Sequence, residues 1–173
     1  AYVGGSSAQA THAMNEWWGK EGMGTMPHAL IQLFDGDIVA ASKAYIETFP
    51  EDEFVALVDY NNDVITDSLL VAEAVGEKLS AVRLDTSQTM IDQYFMRNQD
   101  SLGFFDPRGV NSELVFALRE ALDNHGYPYV KIVATGGFSA EKIKNFEALH
   151  TPVDTYGVGA SLLKVNIGFT GDN

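Results

Sequence analysis

The sequence predicts an α/β protein built on a parallel sheet, and three observations carry that expectation. Short runs rich in Val, Ile and Leu alternate with longer amphipathic stretches, which is the pattern of successive β-α units. Paired glycines follow the last apolar runs, each pair ahead of a helical stretch. Hydrophobic residues make up 46% of the 173 and aromatic residues 11%, enough for one sizeable core and far from the composition of a disordered chain.

Taken in order, residues 2–3 read as a weak strand, 8–18 as a helix and 22–26 as a second weak strand. Residues 37–49 are helical by pattern and stop at Pro50. The clear strands are 53–58, 79–84 and 129–134. Between the first two, 63–76 carries apolar residues at Val64, Ile65, Leu69, Leu70, Ala72 and Val75, with an acidic start and a Gly stop. Residues 99–108 form a long polar and aromatic loop. A helix over 110–125 opens at Asn111 or Ser112 and closes at Asn124 and Gly126. Another runs over 139–149, capped by Ser139, and 154–157 is a further weak strand. Two architectures fit about six such strands: an open doubly wound sheet, or part of a (β/α)₈ barrel. A complete barrel takes roughly 250 residues, so 173 would supply about two thirds of one.

Charge narrows the function classes. Twenty-four acidic residues against 11 basic ones give a net charge of −13, which disfavours a broad footprint on nucleic acid or anionic lipid. A small anionic substrate then needs a local group that overrides the global field. No run approaches the roughly 18 apolar residues of a membrane span, and nothing resembles a secretory signal. Zero cysteines exclude disulfides and thiolate metal sites, which fits a cytoplasmic location. The chain begins at Ala1 inside an apolar run, so residues 1–173 read as most of one α/β-barrel domain within a longer polypeptide.

Both architectures put ligands at the carboxyl ends of the strands. There stand Ser7, in a small-residue turn ahead of a helix, and His28, which follows the second weak strand in Gly24-Thr25-Met26-Pro27-His28. Asp59 follows the third strand. Arg83 and Asp85, two apart on an extended segment, project to one face, either as a structural salt bridge or as a phosphate-binding cation beside a carboxylate for hydroxyls or Mg²⁺. Gly136 and Gly137 follow the fifth strand, and Gly157 and Gly159 the sixth. Such glycines offer backbone N–H groups to phosphate, so a phosphate-binding enzyme is the expectation.

In chain order, the segments Gly5-Ser6-Ser7-Ala8, Gly24-Thr25-Met26-Pro27-His28-Ala29, Leu57-Val58-Asp59, Val82-Arg83-Leu84-Asp85, Thr135-Gly136-Gly137-Phe138-Ser139 and Gly157-Val158-Gly159-Ala160-Ser161-Leu162 resemble nicotinate phosphoribosyltransferase, a type II phosphoribosyltransferase. The resemblance implies a partial (β/α) barrel lacking the family's N-terminal domain and some strands. It also implies an enzyme that joins nicotinate to phosphoribosyl pyrophosphate, coupled to ATP hydrolysis, in NAD salvage. By the same resemblance His28 is the histidine that ATP phosphorylates, and Arg83 and Asp85 hold the ribose phosphate and the pyrophosphate with Mg²⁺. Thr25 and Asp59 belong to matched segments of the substrate site, Gly136, Gly137, Gly157 and Gly159 to the 5′-phosphate cradle. Ser7 stands near the pyridine carboxylate, where nicotinamide-using relatives carry an Asp whose charge would repel an acid. The implied partners are the family's N-terminal segment and a second copy in a dimer. Two departures are visible: Asp85-Thr86-Ser87 where the family reads Asp-Ser-Gly, and Gly5-Ser6-Ser7-Ala8 where it reads Gly-Thr-Ser-Asn. Quinolinate phosphoribosyltransferase and a non-catalytic remnant that binds a phosphorylated ligand are the competing readings.

Overall fold

Four strands, all parallel, form one sheet in the order β1 (Phe54–Leu57), β2 (Leu79–Leu84), β3 (Lys131–Ala134) and β4 (Thr155–Tyr156). The structure is a computed structural model that describes residues 5–10, 12–19, 22, 24–99 and 103–163. Sequential order is the decisive feature. A doubly wound sheet reverses direction at a switch point, whereas this one advances strand by strand in a single sense, as an arc of a barrel does.

Each crossover is helical: α4 (Val64–Val75) from β1 to β2, α5 (Gln93–Arg97) and α6 (Ser112–Asn124) from β2 to β3, and α7 (Ala140–Ala148) from β3 to β4. Right-handed crossovers that all advance one way place their helices on one side of the sheet. Accordingly α4 packs between α3 (Ile38–Thr48) and α6. Register separates the two faces. Ala56, Val82, Leu84, Ile132 and Ala134 share the face buried in the core. Val55, Arg83, Val133 and Thr155 share the other and are only half-buried. The core also takes in Met26, Phe54, Leu114, Leu118, Leu122 and Phe138.

Local chemistry explains the boundaries. Asp37 accepts a hydrogen bond from the Ala40 N–H at the start of α3, Asn111 one from Leu114 N–H at the start of α6, and Ser139 one from Lys142 N–H at the start of α7. Asp92 serves two helices at once, accepting from Val64 N–H of α4 through Oδ2 at 3.0 Å and from Tyr94 N–H of α5 through Oδ1 at 2.8 Å. The strand over 79–84 and the helices over 37–49, 63–76, 110–125 and 139–149 are present with boundaries within about two residues of those expected.

Other expectations need correction. The helix over 8–18 is reduced to α1 (His12–Asn15) and a 3₁₀ turn at Glu16–Trp18, with residues 8–10 non-helical. The Asn15 side chain donates back to the Gln9 carbonyl at 2.7 Å, a local bond that competes with helix extension. Residues 24–27 are not a strand: Met26 N–H reaches the Val55 carbonyl at 3.3 Å, but the next donor in position to face β1, His28 N–H, already belongs to α2 (His28–Leu33), which begins at once. The weak strand at 2–3, residues 100–102 of the polar loop and the run 167–173 lie outside the described residues.

Candidate functional site

The extended segment before α2 runs beside the edge strand β1, where Met26 N–H reaches the Val55 carbonyl. Met26 is wholly buried and anchors it, so the neighbouring Thr25 meets Arg83 and the first residue of α2, His28, meets Asp59. Asp59 follows β1 and its side chain is 6% exposed, whereas that of His28 is 46% exposed. His28 Nε2 lies 3.3 Å from Asp59 Oδ2 and 3.2 Å from Oδ1. Only Oδ2 is aligned for a hydrogen bond, and Oδ1 stays buried without one. Burial pushes the Asp59 pKa up and Asp85 adds to the rise, while His28 opposes it. In the tautomer that carries its proton on Nε2, the imidazole donates to Asp59 and keeps its lone pair on Nδ1.

Arg83 stands near the end of β2. Its Nη1 donates to Thr25 Oγ1 and its Nη2 to Asp85 Oδ2 at 2.9 Å, while Nε is buried without a partner. The salt bridge, one of the two readings left open for positions 83 and 85, is formed. At the next residue, Thr86 Oγ1 is also buried without a partner.

Gly136 and Gly137 have φ of +86° and +71°, the left-handed region that favours glycine. A Cβ at Gly136 would also be tight, 3.2 Å from the Thr86 carbonyl and 3.4 Å from Asp85 Oδ1. Gly157 is required by proximity alone, since a Cβ would stand 2.4 Å from Thr135 Cγ2. The loops after β3 and β4 are tied together where Gly157 N–H donates to the Ala134 carbonyl at 2.9 Å and Ser161 Oγ to the Phe138 carbonyl at 2.8 Å. Gly159 has open space around it.

The structure thus gathers His28 with Asp59, Thr25 with Arg83 and Asp85, Gly136 with Asp85, and Gly157 with the loop that carries Gly136 and Gly137. Ser7 is exposed, and among the described residues no contact ties it to this group. Sequence reading named Arg83 as the one convergent cation, and the structure adds Lys142. Its Nζ lies 3.5 Å from the Gly136 carbonyl and 4.3 Å from the centre of the Phe138 ring. A lysine on an amphipathic helix ordinarily reads as solvated, and nothing in its spacing signals the inward fold. Gln88 was also missed: its amide occupies the position a Cβ on Gly137 would need.

Among the described residues no cluster of three or more metal-ligating side chains occurs. Mg²⁺ does not require one, because it retains waters and uses one or two carboxylates beside phosphate oxygens. Asp85 and the orphaned buried oxygen of Asp59 fit that pattern.

No family model matches the chain. A nicotinate phosphoribosyltransferase of Mycobacterium tuberculosis is 27% identical over 167 residues, which are 94% of this chain and 31% of the relative. One from Bacillus subtilis is 25% identical over 166 residues, 94% of this chain and 29% of the relative. Among solved structures, a nicotinate-nucleotide pyrophosphorylase from Pyrococcus furiosus superposes with a TM-score of 0.76 at 35% identity, over 94% of this chain and 36% of that one. Human nicotinic acid phosphoribosyltransferase superposes at 0.57 with 18% identity, over 91% and 38%, a likeness of fold. The resemblance to nicotinate phosphoribosyltransferases is borne out, and the fold is that of part of a type II phosphoribosyltransferase. The chain spans about a third of the length of the relatives it matches.

Proposed function

We propose that this chain is the phosphoribosyl-binding portion of a nicotinate phosphoribosyltransferase, which forms nicotinate mononucleotide and pyrophosphate from nicotinate and phosphoribosyl pyrophosphate, coupled to ATP hydrolysis, in NAD salvage. The observation that carries the reading is the convergence of Thr25, Arg83 and Asp85 with the loop of Gly136 and Gly137 at the carboxyl ends of adjacent strands. A phosphorylated ribose bridging these groups meets a cation, a carboxylate and open backbone donors in one reach.

The chemistry follows from charge. Departure of pyrophosphate leaves an oxocarbenium-like ribose, and Arg83 stabilises the negative charge that develops on the leaving group. Asp85 would hold Mg²⁺, with Asp59 available as a further carboxylate, and the ion would supply charge neutralisation for the pyrophosphate. The pyridine nitrogen is itself the nucleophile, so no protein nucleophile is needed for that step. His28 serves a separate phosphate relay from ATP: Asp59 holds Nε2–H, the lone pair on Nδ1 attacks the γ-phosphorus as its bond to the bridging oxygen breaks and ADP leaves, and water later cleaves the N–P bond to release phosphate. The charge balance of the chain disfavours broad nucleic-acid or lipid binding in this reading. The remaining parts of the active site come from the rest of the polypeptide and from a second copy in a dimer.

The test is turnover by the complete polypeptide with Mg²⁺, ATP and phosphoribosyl pyrophosphate, offering nicotinate or quinolinate in parallel. Pyrophosphate release and mononucleotide formation with nicotinate are expected. Turnover of quinolinate in its place, or binding of phosphoribosyl pyrophosphate without turnover of either acid, would overturn the assignment.

A further inference from the structure

The Gly136–Gly137 loop is open on its donor side: among the described residues, the N–H groups of Gly136, Gly137 and Phe138 make no hydrogen bond. Under that loop α7 delivers Lys142. Its ammonium lies 3.5 Å from the Gly136 carbonyl and faces two ring faces, Phe138 at 4.3 Å and Phe146 at 5.7 Å. Both rings are buried and Lys142 is half-buried. In a chain with 24 acidic residues, no carboxylate of the described residues pairs with it. Arg83 differs, because Thr25 and Asp85 already occupy its terminal nitrogens.

A partly desolvated ammonium with no counter-charge is unfavourable by itself. Two ring faces and one carbonyl compensate only in part. Burial accordingly lowers its pKa. What the position lacks is an anion with several acceptor oxygens, able to take the ammonium and the backbone N–H groups together. A phosphate monoester has that form, and a carboxylate has fewer oxygens to share.

We propose that Lys142 is a phosphate-binding residue, supplying the cation that holds the monoester phosphate of a phosphoribosyl ligand against the Gly136–Gly137 loop. This rests on the reading that the glycine loops take the sugar phosphate and adds a charged specificity group to them. The aromatic pair Phe138 and Phe146 keeps the ammonium beside the loop, so the phosphate meets a positioned charge. Ribose without a phosphate would gain nothing from it.

The test is calorimetry on the complete polypeptide with ribose 5-phosphate and inorganic phosphate as probes. Lys142→Met keeps the apolar stem over the rings and removes the charge, Lys142→Arg restores a charge, and Lys144→Met alters an exposed lysine of the same helix. Lys142→Met should weaken ribose 5-phosphate binding by about tenfold or more, with Lys142→Arg recovering most of the loss and Lys144→Met leaving affinity unchanged. As a measurement independent of folding, trace acetylation of the wild-type protein should show Lys142 protected by ribose 5-phosphate and Lys144 not. Tight binding by wild type with no change in Lys142→Met and no protection at Lys142 would overturn the role of Lys142 and leave the glycine-loop reading standing. Failure of wild type to bind ribose 5-phosphate would overturn that reading itself, and the role of Lys142 with it.

Discussion

Replacing Asp67 by Asn isolates one buried charge near the site. Asp67 lies in the first turn of α4, is 4% exposed, and accepts from Asn61 Nδ2 at 3.1 Å through Oδ2 and 3.4 Å through Oδ1. Asn61 also donates to the Gly36 carbonyl, so this contact ties the loop after β1 to the turn between α2 and α3. Burial above all, with Asp63 and Asp92 adding, raises the Asp67 pKa from 3.8 to about 6 against the opposing bond from Asn61. The folded pKa therefore exceeds the unfolded one. The stabilising contribution is fully present below pH 3.8 and is lost as pH rises through about 6. At about 1.4 kcal/mol per pH unit, that gap corresponds to about 3 kcal/mol. Asn at position 67 cannot ionise, and its side-chain oxygen still accepts from Asn61. The stability of Asp67→Asn relative to wild type should thus grow by about 2 kcal/mol between roughly pH 4 and pH 7.5, because part of the loss has already occurred at pH 4 and groups common to both proteins cancel. Urea denaturation at matched ionic strength across that range reads it as a shift of midpoint at constant m-value. A difference that stays flat to within about 0.5 kcal/mol would refute the reasoning and show Asp67 to be ionised throughout.

Arg83→Ala should weaken phosphoribosyl pyrophosphate binding by about 1.5–3 kcal/mol, the range for a hydrogen bond to a charged group, and unchanged affinity by calorimetry would sink its role. Incubation of the complete polypeptide with ATP and Mg²⁺ should give an acid-labile phosphohistidine at His28 with the phosphate on Nδ1, because Asp59 engages Nε2. Phosphate found on Nε2 by nuclear magnetic resonance would contradict that tautomer, and full ATP-coupled turnover by His28→Ala would make the residue structural. Gly157→Ala should lower stability by about 1–3 kcal/mol through its clash with Thr135 Cγ2. Adding Thr135→Ser, which deletes that methyl, should recover much of the loss in a thermal melt, and equal melting of single and double variants would point to another cause.

Period and capping were legible because they are local. The strand over 79–84 needed only its apolar run, and the helices needed the oxygens of Asp37, Asn111 and Ser139 at the places where they accept. Strands β1 and β3 are shorter than 53–58 and 129–134 because ladder pairing, which composition does not register, stops at Leu57 and starts at Lys131. The short helix α5 was missed: five residues carry too little periodicity, and its cap also serves α4. At the site, the residue types were readable and their partners were not. His28 and Asp59 are 31 positions apart, Thr25 and Arg83 58 apart, and only the sheet brings them together. Lys142 shows the same limit, since its inward fold depends on two rings that tertiary packing puts in its way.

Asp92 spans the start of α4 and the start of α5 with its two oxygens, and that arrangement governs how the molecule opens. Neither helix can fray at its first turn without releasing the same carboxylate. Asn62, between β1 and α4, grips the same junction through the Ile91 carbonyl at 2.6 Å and the Gln93 N–H at 2.8 Å. The segment that follows Asp59 and the segment that follows Asp85 therefore loosen as one unit, so amide protons at Val64, Gln93 and Tyr94 share a common exchange event. Two arms of the site that lie far apart along the chain are in this way held to a single rhythm of opening and closing.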